Sequence, residues 1–283
     1  MTAPIIYRIF AILFFLLILN SCSKTRLLYN NADLFLLNQF DTYFDLNNTQ
    51  RLNLNKSITQ FLNWHRKSEL NFLAVRLKEL KLRYQRGMRE EDFDWVFEQY
   101  DIFRTRILYK AEPDLVTFLL TLEENQIRYM EKKLLERDDW LTKQNKMTND
   151  EAYEEVLDWF CDSLESWLGN LESDQRNKIA SWLQIDRNWI VTQLENRKKI
   201  QNHFGGLLRS KKSLLEGLHI LLHQPEAYWT HSFKKKKIEK KKEWKEILVK
   251  VDAITLPLQR ENAASELQRY IDDFLFLGQE NAS

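Results

Sequence analysis

Several small groups of side chains in this chain could do chemistry. The first is a single thiol. Cys22 closes Leu19-Asn20-Ser21-Cys22, behind Arg8 and the unbroken apolar run Ile9–Leu19. A basic head, a short apolar core and a small residue before cysteine make a secretory leader ending in a lipobox. The chemistry expected at Cys22 is attachment of a diacylglyceryl group to sulfur. An uncleaved transmembrane anchor is the alternative, but it needs about 20 apolar residues, and the run has eleven. The second group is a lysine run: Lys234, Lys235, Lys236, Lys237, Lys240, Lys241, Lys242 and Lys245. With Glu239 and Glu243 interspersed, the segment carries +6. It suits phosphate-bearing partners such as anionic lipid or wall polymer; the alternative is a solvated helix face balanced by nearby acids. The third group is His219 and His223, four apart and so on one helix face. Two imidazoles at that spacing can hold zinc. The glutamate of a His-Glu-x-x-His protease is missing and no third ligand is placed, so neither metal nor cofactor is assigned.

The remaining candidates are weaker. Asp41 and Asp45 have i, i+4 spacing and Asp272-Asp273 are adjacent. Paired carboxyls can act as acid and base, but such acids commonly solvate a helix surface. Trp64-His65 falls on an apolar face, where a hydrogen-bonded core histidine is expected. Cys161, in Val-Leu-Asp-Trp-Phe-Cys, reads as a small core residue. No catalytic residue is assigned, and no phosphate loop, nucleophile elbow or Cys-x-x-Cys is present.

The elements that must position these groups are helices. Glycine and proline number six and four, and Leu, Glu, Lys, Gln, Arg and Asn dominate. The expected class is all-α, a bundle of seven to nine helices, some long. Removal of residues 1–21 from 283 leaves 262. A lipid-proximal segment with a short helix is expected over 22–46, and a helical domain over 47–283, with a sub-boundary at 145–149. A net charge of +1 argues against a nucleic-acid partner, and no second long apolar run follows Leu19. Nine tryptophans and seventeen phenylalanines mostly occupy stripe positions. Trp140, Trp229 and Trp244 sit among charges and are candidates for a partner surface.

Cys22-Ser-x-x-Arg-x-x-Tyr-Asn-Asn-Ala-Asp33, then Tyr43-Phe44-Asp45-Leu46, Gln50-Arg51 and Trp64-His65-Arg66-x-x-Glu69-Leu70, resembles an uncharacterised family of proteobacterial lipoproteins. The resemblance implies an all-helical envelope lipoprotein and brings no activity with it. Ser23, not aspartate, after the cysteine matches the sorting pattern of outer-membrane lipoproteins.

Asn47 with Gln50 and Thr148 with Glu151 are capping boxes. Gly87 and Gly169 sit where helices stop. The pattern predicts one helix from Asn47 to Gly87, an arm over Glu90–Lys143 that Pro113 kinks or divides, and a helix over Ser173–His203 broken by Gly205-Gly206. Leu46-x-x-x-Gln50-Arg51, Leu171-x-x-x-Gln175-Arg176 and Leu256-x-x-Gln259-Arg260 form a weak repeat, each at a helix start. It is similar to the Leu-Thr-x-x-Gln signature of small periplasmic stress chaperones, with Asn47 and Glu172 at the threonine position.

The function expected from all this is binding: a scaffold, chaperone-like or assembly protein on the periplasmic face of the outer membrane, with a protein partner or unfolded client. The competing readings are a wall-glycan enzyme with two acids and a peptidoglycan-bound spacer.

Overall fold

The computed structural model describes residues 22–279, all helix and connections, with no strand among the described residues. The proposed leader, residues 1–21, lies outside them. The helices are α1 (Cys22–Asn30), α2 (Ala32–Phe44), α3 (Asn48–Trp64), α4 (Leu70–Gln85), α5 (Glu90–Leu120), α6 (Glu124–Lys146), α7 (Asn149–Leu168), α8 (Ser173–Trp182), α9 (Arg187–Arg209), α10 (Leu214–His223), α11 (His231–Ile254) and α12 (Pro257–Gln279). A π turn, His65–Glu69, joins α3 and α4 into one rod, so twelve segments make eleven rods among the described residues. None of these helices is long and apolar enough to cross a membrane.

Eleven exceeds the seven to nine expected, for a local reason. The Glu90–Lys143 arm breaks at Thr121–Glu123, although Pro113 stays inside α5. The break needs neither glycine nor proline: Gln126 Oε1 accepts from the Glu123 N–H and recaps the next helix, 3.2 Å. The Ser173–His203 helix ends at Trp182 and restarts behind Asp186, whose carboxylate accepts from the Trp189 N–H. Conversely, Gly205-Gly206 does not interrupt α9. A β-carbon at Gly205 would displace only the flexible carboxylate end of Glu131 in α6. The stops at Gly87 and Gly169 do form, with φ of +90° and +78°. The capping boxes at Asn47 and Thr148 form as well.

Three cores hold the rods. Leu36, Ile58, Leu119, Met130, Leu208 and Leu218 belong to the largest, from α2, α3, α5, α6, α9 and α10. Phe160, Cys161, Ile179 and Ile247 join α7, α8 and α11. Tyr29, Leu70, Ala74, Ile271 and Leu277 join α1, α4 and α12. Each fully buried aliphatic side chain contributes about 1.5–3 kcal/mol. Cys161 is wholly buried and burial raises its thiol pKa, which makes it an inert core residue.

The glutamine repeat has a structural basis that its spacing alone did not reveal. Gln50 and Gln126 exchange amide hydrogen bonds at 3.0 and 2.8 Å, and Gln175 and Gln259 do so at 2.8 Å both ways. Each Oε1 also caps its own helix start, and each Nε2 reaches a carbonyl of its partner's connection. Two buried clasps therefore tie α3 to α6 and α8 to α12. Gln126, in Leu122-x-x-x-Gln126, is a fourth member with the same spacing as the first two.

Candidate binding site

The largest core is not closed. Its helices line an apolar cavity of about 210 Å³ that is partly open to solvent. Helical spacing aims the lining inward: Phe40 and Phe44 from α2, Ile58 from α3, Leu115 from α5, Leu134 from α6, Phe204 from α9 and Leu222 from α10. Phe40 and Phe44 both pack edge-on against Phe118, with ring centroids 5.4 and 5.2 Å apart, and so fix one wall. An apolar cavity of about 150 Å³ is already large enough for a benzene-sized guest.

Polar side chains contribute little of the exposed lining surface, and their pairing differs sharply. Asp138 is clamped by Arg197 at 2.8 Å and by Gln201 at 2.9 Å. Glu112 accepts from His219 Nδ1 at 2.9 Å and from His223 Nε2 at 2.8 Å. Arg137 is different. Its Nη1 donates to the Tyr43 hydroxyl at 3.1 Å, while Nε and Nη2 are buried without a hydrogen-bond partner. Unsatisfied charged donors are costly and uncommon. Arg137 occupies the third position of the stripe Met130, Leu134, Arg137, where a leucine would complete the pattern.

The candidates from sequence fall into distinct places. Cys22 begins α1; its side chain lies outside the described residues, as does that of Trp140. The lysine run is split by the fold. Lys236 pairs with Asp186 at 3.0 Å, Lys240 with Glu243 at 2.7 Å, and Lys245 with Glu90 and Asp94 at 2.8 and 3.1 Å. Lys237 lies 3.9 Å over the Trp229 ring, and burial, with Arg104 nearby, lowers its pKa to about 8. Lys241 lies over Phe97. Lys234, Lys235, Lys241 and Lys242 are exposed. Trp244 packs on Phe160 and Trp229 on Phe233, both partly buried.

Neither acid pair forms a site. Asp41 is held by Arg51 at 2.6 Å, and that hydrogen bond lowers its pKa. Asp45 is the left-handed cap of α2. Asp273 is buried against Arg26 at 2.6 Å, while Gln268 donates to Asp272. His65 is buried and shares a 2.8 Å hydrogen bond with the Tyr29 hydroxyl, a core role.

The residues that carried the lipoprotein resemblance converge. Arg26 binds Asp273 and covers Phe276; Tyr29 meets His65; Arg66 donates to Asn30; Glu69 takes two bonds from Arg106. The first three contacts clamp α1 onto the π turn and α12, and the last ties the π turn to α5. The spacing pointed to the segment, and only the packing reveals that it is a clamp. Arg137 and Glu112 carried no sequence signal beyond a charge inside an apolar stripe and a carboxyl next to Pro113.

A family model described as a family of unknown function, DUF6279, matches residues 42–234. No curated protein and no solved structure matches the chain.

Proposed function

The chain belongs to the DUF6279 family of unknown function, and on the geometry above we propose that it is an envelope lipoprotein whose helical body binds the apolar chain of an anionic amphiphile, such as a fatty acid. The observation that carries this reading is the pairing of an apolar cavity with the two unpartnered nitrogens of Arg137. A hydrocarbon tail matches the wall, and a carboxylate or phosphate supplies acceptors for the guanidinium. Glycan hydrolysis by two acids has less support, because two of the three acids on this wall, Glu112 and Asp138, are held by partners.

The membrane part of the proposal rests on the leader pattern and Cys22. The mature protein is attached through lipid on Cys22 to the periplasmic face of the outer membrane. The docking of α1 is compatible with this: Cys22 lies four residues, about 6 Å along a helix, from the Arg26–Asp273 pair. The body would then work close to the bilayer from which an amphiphile is drawn.

Binding is tested on a chain starting at residue 22 with Cys22→Ser, by displacement of a fluorescent polyene fatty acid. Binding is expected in the wild-type body. Arg137→Gln should weaken it about tenfold or more, the worth of a charged hydrogen bond. Ala111→Phe, which grows into the cavity, should abolish it without lowering the melting temperature. Unchanged binding by Ala111→Phe refutes the cavity as the site. Anchoring is tested separately: radiolabelled palmitate should enter the full-length protein and not the Cys22→Ser variant, and the labelled protein should fractionate with the outer membrane.

A further inference from the structure

We propose that Glu112, His219 and His223 form a binding site for a divalent transition-metal ion of the zinc type. The two imidazoles lie on one face of α10 and the carboxylate comes across from α5, more than a hundred residues earlier. Their ligating atoms all lie within 4.8 Å of one another. Around a tetrahedral ion held at 2.0–2.1 Å, ligand atoms stand about 3.3–3.5 Å apart. The imidazole–carboxylate contacts of 2.8 to 3.3 Å need to open by up to about 0.5 Å to reach that spacing, and the two imidazole nitrogens, within 4.8 Å of each other, must settle to it as well. Two imidazoles and one carboxylate are a zinc-type donor set, and three protein ligands leave one position for water or another ligand.

The surroundings favour a ligand role over simple charge burial. Elsewhere in the molecule buried carboxylates are met by arginine: Glu69 by Arg106, Asp92 by Arg83 and Arg86, Asp138 by Arg197. At Glu112 the partners are two imidazoles instead. The ring of Tyr109 stacks on His223 at 4.0 Å and holds its plane. The His219 side chain is 43% exposed, against 7% for His223 and 11% for Glu112, so an ion has a path in from the His219 side. This inference stands on ligand geometry and does not depend on fatty-acid binding in the neighbouring cavity.

The test uses the full-length chain, purified in detergent and stripped of metal. Zn²⁺ is titrated against a chromophoric chelator. One ion per chain is expected to bind at micromolar or lower concentration and to raise the melting temperature. His219→Ala and Glu112→Gln should weaken uptake by more than about 100-fold, beyond the loss caused by removing an outer-shell partner. If Glu112→Gln does not fold, the half-exposed His219→Ala still decides the matter. X-ray absorption of the zinc-loaded protein should show two imidazoles and oxygen. No uptake at micromolar zinc, uptake equal in His219→Ala, or a spectrum without imidazole would each overturn the proposal and leave a hydrogen-bonded carboxylate.

Discussion

At the scale of single residues, the most consequential group outside the cavity is His65. Burial, reinforced by Arg66, lowers its pKa to about 4. The unfolded chain takes up that proton near the ordinary value of 6.5, whereas the native state resists it until about 4. The native advantage is therefore intact above pH 6.5 and is lost as the pH falls from 6.5 to 4, by about 3 kcal/mol in total. The urea midpoint should drop between pH 7 and 4.5, and His65→Gln should flatten that slope. Asp92 acts in a lower window. Burial pushes its carboxyl up, but hydrogen bonds from Arg86, the Arg89 N–H and Arg83 outweigh this and hold it down to about 2. Its contribution is present above the unfolded carboxylate range near 4 and disappears only as the pH falls toward 2. The glutamine clasps give a second residue-scale prediction. Gln175→Ala and Gln259→Ala should each cost about 1–3 kcal/mol, since each leaves a buried amide and a carbonyl unmatched. The double variant should cost less than the sum, as a denaturant double-mutant cycle will measure.

At the scale of elements, the π turn and the helix breaks decide what meets what. The extra residue of the π turn turns both His65 and Glu69 into the interior, toward α1 and α5. Glu69 is fully buried and its guanidinium partner, Arg106, comes from α5. Arg106→Ala leaves that carboxylate buried and uncompensated, and should cost about 3–5 kcal/mol in chemical denaturation. A loss below 1 kcal/mol would show that the carboxylate is re-solvated or protonated without strain. The short connection at Thr121–Glu123 has a larger effect than its length suggests. It folds α6 back against α9 and α2, with the Gln50–Gln126 clasp tying its start to that of α3, and so supplies Met130, Leu134 and Arg137 to the cavity. An unbroken arm would have carried them away from the bundle.

At the scale of the whole molecule, the fold divides the lysine run between internal and external tasks. Lys236, Lys240 and Lys245 tie α11 to α9 and α5 through Asp186, Glu90 and Asp94. Lys234, Lys235, Lys241 and Lys242 remain exposed, and near an anionic surface each is worth about 1 kcal/mol. Replacing these four with glutamine should remove salt-sensitive retention of the unlipidated body on anionic vesicles while leaving its far-UV circular dichroism unchanged. Equal retention of wild type and variant on neutral and anionic vesicles would count against any role of this face at a charged surface.

The sequence by itself determined most of the local structure. Helix content, the capping boxes at Asn47 and Thr148, the stops at Gly87 and Gly169 and the burial of Cys161 all follow from interactions within four residues or from side-chain chemistry. Tertiary structure alone decided which helices face each other. The unpartnered nitrogens of Arg137, the meeting of Glu112 with His219 and His223, the reciprocal glutamines and the sorting of the lysines each join residues from different rods, most of them tens to a hundred positions apart. Hydrogen bonding within a helix is blind to such separations; the packing of apolar faces fixes them, and with them every group that could bind something.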